Sequence, residues 1–494
     1  MSDKEVVPGV DAHTAQSFAQ RNFGGINLGH KLRNQAAIKT AERICRHPGG
    51  TLPMKLTNPA AYKSMDLLMN RPEATHARLL EPHCSRAKEK VAAAATRGPV
   101  LILHDTTELD YSGLSIADLG PIANGHCRGY LCHNSLALLP ETREVLGLAH
   151  QILHRREAVG KKESVKAKRD RPGRESRLWS QAVAALGPGV EGTHVIDVGD
   201  AGADLFEFLA KVQGLKRRCV VRACHDRNIV VGHEDIEFDL NKAKRTRQWP
   251  GKTSLYKHLR SLGSMGGQKT KEVRARGEAE ARSATLSLAY AAVQLLPPHV
   301  RRGEYEERPL RVWALRIWEE NPPPGSEALE WFVLTFEPVT SARHGWEVSS
   351  WYECRFVVEE YHKAQKTGCA IEKLQFETAQ ALQPMIALLS VVAVMLLNLR
   401  EAARRPDADK RAATEVVDAT YEEVLRGWRY KNPPSERFTI KEFYMALARL
   451  GGHFNRKSDG FPGWLTLWRG WMKLHSMVEG AEAQRRIKKK RGVT

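Results

Sequence analysis

Two aspartates stand where carboxylates can share a divalent cation. Asp105 closes an apolar run in His104-Asp105-Thr106-Thr107, and Asp200 follows a second apolar run in Val198-Gly199-Asp200. A carboxylate just beyond the carboxyl end of a strand projects into the crevice where open α/β sheets bind ligands. Two such groups repel each other unless a cation lies between them, and hard oxygen donors suit magnesium or manganese. Taken singly, each aspartate equally reads as a turn residue or a helix cap. Asp204 reads better as the cap of the helix that follows it.

A third acid lies in WYECRFVVEEYHKAQK, residues 351–366. Read as one helix at about 100° per residue, this segment puts Tyr352, Arg355, Glu359, Lys363 and Lys366 on one stripe. Cys354, Val357, Val358, Tyr361 and Ala364 fall on the opposite side. One face can pack on a core while the other presents a carboxylate among cations. Alone, that face reads as a solvated surface with an i,i+4 Arg355–Glu359 pair. Beside two strand-end aspartates it acquires another use, because its cations can neutralise phosphates that flank bound metal.

The overall charge points the same way. The 494 residues carry 76 Lys and Arg against 57 Asp and Glu, a formal net charge of +19. Such a balance calls for an anionic partner, nucleic acid before membrane. The longest apolar run, 384–399, is shorter than the roughly 20 residues that span a bilayer and reads as a buried core helix. The first ten residues are polar and lack the apolar stretch of a secretory signal. Eight cysteines include two C-x4-C pairs, Cys127/Cys132 and Cys219/Cys224, with His133 and His225 following. Zinc is one reading of these pairs. Strand periodicity opposes it, since positions five apart point to opposite faces.

The elements that must position the acids form a mixed α/β order. Residues 12–95 read as helices with breaks at 24–25, 47–50 and 70–72. Strands are expected over 99–104, 130–139, 145–153, 194–198 and 219–224, with helices over 175–186 and 204–212. Residues 226–345 contain β-like pieces between charged loops and read as an insertion rather than a continuation of the sheet. A helix follows over 347–365, then a mostly helical section with a disordered basic tail at 485–491. Trp464, Trp468 and Trp471 recur at i, i+4 and i+7, either as a dimer face or as a buried stripe.

Together these residues resemble the insertion-sequence-four family of bacterial DDE transposases. Its Y-(2)-R-(3)-E-(6)-K signature is met by Tyr352, Arg355, Glu359 and Lys366 with all three spacings kept, and EEYHKAQKTG extends the match. HDTTELDYSG is similar to the family's first-acid segment and DAGADLFEFL to its second-acid segment. Phe23-Gly24, Leu28-Gly29 and Arg33 resemble the end-binding region, and LARLGGHFNRKSDGFPGWLTLWRGWMKL resembles the dimerisation region. This chain departs in the small Gly and Ala residues that follow Asp200, where members often have Arg and Glu, and in residues 226–310.

The resemblance implies an RNase H-like mixed sheet with flanking helices, interrupted by a β-rich insertion. The expected domains are 1–95 for DNA-end binding, 96–225 with 346–371 for catalysis, 226–345 for the insertion and 372–494 for dimerisation. Asp105, Asp200 and Glu359 would hold two Mg2+ ions, with Mn2+ able to substitute. Tyr352, Arg355, Lys363, Lys366 and Arg222 would grip DNA phosphates. Trp331, a core residue by its apolar surroundings, matches an insertion-domain tryptophan that stacks on a flipped base. Arg33, Arg46, His47 and Arg71 are candidates for end recognition, though each taken alone reads first as an exposed basic residue. The implied activity is cut-and-paste transposition of double-stranded DNA through a hairpin intermediate. It would be carried out by a homodimer in the bacterial cytoplasm, associated with the nucleoid and with no membrane partner.

Overall fold

The computed structural model describes residues 12–46, 49–157, 164, 167, 171, 173–234, 249–273, 281–298, 308–456 and 459–490. At its centre lies β1 (Val100–Asp110), whose first half is buried on both faces. A run of Val, Leu and Ile suits that place, because a strand paired on both sides and covered on both faces has no polar side to show. β1 pairs antiparallel with β3 (Cys127–Leu138) and parallel with β5 (Val195–Gly199), which pairs parallel with β6 (Arg218–Ala223). On the outer edge of β3 lie β2 (Gly120–Ile122) and β4 (Val145–His154), both antiparallel to it.

The sheet does not stop at β6. β12 (Glu330–Thr335) pairs antiparallel with β6, and the order continues through β11 (Leu310–Glu319), β10 (Arg282–Leu295), β7 (Asn228–Val231) and β8 (Thr253–Ser254). β9 (Lys269–Val273) pairs with β10. Residues 226–345 are therefore β-rich as expected, but they extend the central sheet rather than interrupting it. The return strand β12 supplies the reason: its Phe332 to Thr335 take up the free edge of β6 in register from Ala223 to Val220. Edge pairing of this kind leaves little trace in a strand's own periodicity.

Helices cover both faces. On one lie α1 (Ala12–Phe23), α2 (Lys31–Arg46), α3 (Leu52–Leu56), α4 (Pro59–Met69) and part of α5 (His76–Ala95), sharing a single apolar core with Leu101, Leu103, Ile196, Val198 and Val220. The helical N-terminal segment is thus fused to the sheet's core. On the other face pack α6 (Arg177–Leu186) and α7 (Phe206–Gly214), through Val183, Phe208 and Leu209, against Cys219 and Val221. A short α8 (Leu255–Ser261) adds Leu255 and Leu259 to that second core.

The segment expected as one helix is two. α9 (Ala342–Glu353) ends, and α10 (Phe356–Lys363) begins after Cys354 and Arg355. Successive i→i+3 bonds, Arg355 N to Tyr352 O, Val357 N to Cys354 O and Val358 N to Arg355 O, tighten the backbone there. The tightening shifts the helical phase, and neither glycine nor proline marks it in the sequence. Tyr352 consequently ends one helix while Glu359 belongs to the next. A π turn, Ala364–Gly368, follows α10.

α11 (Ala379–Ala402) carries the apolar run and is nearly all buried. Among the described residues it is the one helix long and apolar enough to cross a membrane, and 89% of its apolar window is buried inside the protein. α12 (Ala419–Arg429), α13 (Ile440–Leu450) and α14 (Trp464–Lys490) complete the chain. Trp464 and Trp471 are buried and Trp468 is half-buried, with Tyr421 stacked on Trp471 at 5.0 Å, so the tryptophans form an internal stripe. The basic tail, expected to be disordered, continues α14 as far as Lys490, and Arg485 pairs with Glu423 at 3.0 Å.

Candidate active site

The register of three parallel strands places the acids. Leu103 of β1 is level with Val198 of β5, and Val198 with Val220 of β6. All three point into the same core. Two residues further along each strand, on the same face by alternation, come Asp105, Asp200 and Arg222. Neighbouring strands lie about 4.8 Å apart, so the two carboxylates form one row past the end of β5, close enough for Asp200 to act on Asp105. β1 runs on to Asp110, so Asp105 lies within its strand and not at the expected strand end. α10 packs over β1, seated by buried Val357, Val358 and Tyr361. That seating turns Arg355 and Glu359 toward the row.

Arg355 links α10 to β1. Its Nη2 lies 2.7 Å from Glu359 Oε1 and its Nη1 lies 3.6 Å from Asp105 Oδ2. Asp105 also accepts a hydrogen bond from Thr106 N at 2.8 Å, and Asp200 one from Gly202 N at 2.7 Å. The side chains of Arg355 and Asp105 are each 15% exposed, that of Glu359 38%. Burial and the nearby Asp200 carboxylate push Asp105 up to about 6, Glu359 adding to the rise, while the Thr106 N–H and Arg355 pull it back. Two carboxylates thus share one guanidinium where solvent reaches, with a third, Asp200, close enough to raise Asp105. A hard divalent cation fits this donor set, because it relieves the same repulsion that raises Asp105.

The strand-to-turn passage at Asp200 depends on glycine. A side chain at Gly199 would meet Ala203 Cβ at 2.5 Å, and one at Gly202 would meet Asp200 Oδ1 at 3.0 Å and Trp179 Cζ2 at 3.2 Å. The small residues that set this chain apart after Asp200 therefore follow from the close approach of Trp179. Asp204 is not the expected helix cap: Leu205 holds the N-cap position of α7, without a side-chain cap. Asp204 is fully buried and holds Arg227 at 2.7 Å, together with the backbone N–H groups of Cys224 and His225 at 2.8 and 3.0 Å.

The cysteine pairs do not gather as a four-ligand site. Cys219 is buried in the second core while Cys224 is exposed. Asp204, Cys224 and His225 do bring one ligand atom each within 4.8 Å of one another. Both Asp204 oxygens are already engaged, Oδ1 by Arg227 and Oδ2 by the two N–H groups. Asp105, Asp200 and Glu359 offer free oxygens but do not all come within that 4.8 Å of one another, because the Arg355 guanidinium stands between Glu359 and Asp105.

Other expected site residues fall at varying removes. Tyr352 is half-buried at the end of α9, and its hydroxyl is close enough to Arg355 to act on its charge. Lys363 is exposed and pairs with Glu360 at 3.0 Å. Lys366 pairs with Glu372 at 3.2 Å, and Glu372 also accepts from Asp110 N, which places Lys366 at the far end of β1. Trp331 lies just beyond the Phe332–Ala223 pair, at the acid edge of the sheet. It is half-buried against the core, Lys271 Nζ sits 5.1 Å above its ring, and its Nε1 is buried with no hydrogen-bond partner. Its ring is thus partly covered rather than open for stacking.

In the N-terminal helices, Arg33 and Arg71 line one open groove of about 390 Å³ between α2 and α4, with Leu32, Lys63 and Leu67. Arg33 is tied to Glu73 at 2.6 Å. Arg46, at the end of α2, pairs with Glu42 and takes no part in that groove. His47 lies outside the described residues. Lys63 and the exposed Leu32 and Leu67 escaped the sequence reading, since an isolated surface lysine or leucine carries no local signal. No protein-family model matches the chain.

Proposed function

We propose that this protein is a metal-dependent DNA transposase with an RNase H-like catalytic core, acting as a homodimer on paired transposon ends. The observation that carries the reading is the convergence of Asp105, Asp200 and Glu359, drawn from three distant segments, on one solvent-reached edge with Arg355 among them. The strand order β4-β3-β1-β5-β6, antiparallel then parallel, is the order such a core requires, with one acid midway along β1 and the other just past the end of β5. The +19 charge supplies the attraction to DNA, and the Tyr352, Arg355, Glu359, Lys366 spacing agrees with the family resemblance.

Asp105, Asp200 and Glu359 would hold two Mg2+ ions, which when bound activate water and stabilise attacking and leaving oxygens. Arg355, now balancing Asp105 and Glu359, is freed by that exchange to hold a phosphate beside them. Arg222 extends the same row and faces the same duplex, and Lys363 and Lys366 neutralise phosphates further along α10 and β1. Trp331 serves as a stacking platform only if Lys271 leaves its ring, a displacement that the phosphate backbone, a competing anion for Lys271, would favour. Hydrolysis of one strand frees a 3′-hydroxyl, which attacks the opposite strand to leave a hairpin. After the hairpin is opened, the same hydroxyl attacks target DNA.

The test is incubation of the purified protein with candidate transposon-end duplexes and Mg2+. Nicked, hairpin-ended and target-joined products are expected. Asp200→Ala should abolish all three while end binding, read by mobility shift, persists. Cleavage by the Asp200→Ala protein would overturn the assignment, and cleavage without hairpins or joined products would reduce the reading to a nuclease.

A further inference from the structure

Behind the acid row, a second set of charged groups is sealed from water. The His104 and Asp197 side chains are 0% exposed and Arg217 is 7% exposed. His104 precedes Asp105 on β1, so its ring passes to the opposite face of the sheet. There its Nε2 lies 3.0 Å from Asp197 Oδ1 and its Nδ1 lies 3.0 Å from Ser135 Oγ. Arg217 grips Asp197 through Nε at 2.6 Å and Nη2 at 2.8 Å, and its Nη1 donates to Gly187 O at 3.1 Å. The contacts run from Ser135 on β3 through His104 on β1 and Asp197 on β5 to Arg217 at the foot of β6.

This chain of contacts lies where the backbone stops helping. Registered pairing of β1 with β5 ends at Leu103 and Val198, two residues short of each aspartate. Beyond that row the two carboxylates repel, which alone would spread the strand ends. The His104–Asp197 bond crosses from β1 to β5 diagonally over the last registered pair, Leu103 with Val198, and Arg217 and Ser135 fix its two ends. A buried, doubly anchored link of this kind holds a distance far better than exposed side chains do. Magnesium demands a near-ideal octahedron at 2.0–2.1 Å, whereas calcium accepts looser, larger sites.

We infer that His104, held between Asp197 and Ser135, is a positioning residue that sets the separation of Asp105 and Asp200 and so makes the edge selective for Mg2+ over Ca2+. The inference rests on reading the acids as a cation site. Groups behind metal ligands commonly change metal affinity by about 10–100-fold.

The test titrates Mn2+ into the full-length protein without DNA, reads it by electron paramagnetic resonance, and displaces it with Mg2+ or Ca2+. For His104→Leu, Mg2+ affinity should fall by about tenfold or more while Ca2+ affinity changes by less than about threefold. His104→Gln, which keeps a donor toward Asp197, should restore most of the selectivity. Should His104→Leu not fold, Ser135→Ala carries the test, with a smaller loss confined to Mg2+. Unchanged affinities, or equal losses for both ions, would overturn the positioning role. A wild-type Mn2+ signal that survives Asp200→Ala would instead overturn the cation site itself, and the inference with it.

Discussion

The two faces of the sheet around β1 and β5 hold charge in opposite ways. On the acid edge, Asp105 and Glu359 share one guanidinium with Asp200 beside Asp105, and Glu359 is 38% exposed. On the back, Asp197 is fully buried and is matched by the Arg217 fork and by His104. Asp204 and Arg227 repeat the balanced arrangement at the end of β6. A buried carboxylate survives when its charge is paired and its oxygens are bonded. An unbalanced cluster at an open edge leaves part of its repulsion uncompensated, and such places are where functional sites are sought. The balanced pairs hold the strands, and the imbalance is what a cation or phosphate can use.

Breaking the balanced side should cost most. Asp197→Ala leaves Arg217 buried without its partner and should destabilise the fold by about 3–5 kcal/mol, read as a shift in the urea midpoint. A loss below about 1 kcal/mol would mean that water reaches Arg217 in the folded protein.

The unbalanced side should respond with the opposite sign. Burial and Asp200 raise Asp105 to about 6, so between its ordinary value and 6 the folded chain binds a proton that the unfolded chain releases. Stability of the metal-free protein therefore falls as pH climbs through that window and stays lowered above it. Asp105→Asn should add about 2–3 kcal/mol at pH 8, given about 1.4 kcal/mol per unit, and almost nothing at pH 4. Thermal melts at the two pH values check this, and a destabilised Asp105→Asn at pH 8 would contradict it. For the same reason, Mn2+ affinity should rise with pH through about 6.

Arg355→Ala sharpens the comparison further. Arg355 lowers Asp105, so its removal should move the pH midpoint of Mn2+ binding upward. A midpoint that moves down or stays put would show that Arg355 does not act on Asp105. The smallest effect belongs to Lys363, whose exposed pair with Glu360 should contribute less than about 0.5 kcal/mol to stability. Its role should appear only on DNA: Lys363→Ala should weaken end binding and reduce the salt slope by about 1. An unchanged slope would remove Lys363 from the phosphate contacts.

The site was legible in part. Asp105 and Asp200 show themselves as acids at the ends of apolar runs, and the helix bearing Arg355 and Glu359 shows itself by alternating apolar and charged faces. His104, Asp197 and Arg217 escaped, although a charge inside an apolar strand such as Val195–Gly199 is a usable signal of a buried pair. Asp204 misled because a helix follows it directly, while its true partner, Arg227, is 23 residues away. Trp331 was legible as a half-core residue, but the Lys271 above its ring comes from a different strand.

By itself the sequence determined the alternation of strands and helices, the apolar faces that bury them, the acids that close two apolar runs and the excess of positive charge. These depend on neighbours within a few residues or on simple composition. Only the tertiary structure decided that residues 226–345 extend the sheet, that helix 347–365 breaks at Cys354 and Arg355, and that three acids meet on one face while Asp197 is neutralised on the other. Such outcomes turn on register and edge pairing between segments far apart in the chain. A shift of one residue exchanges the two faces of a strand, and no local pattern records which partner fixes it.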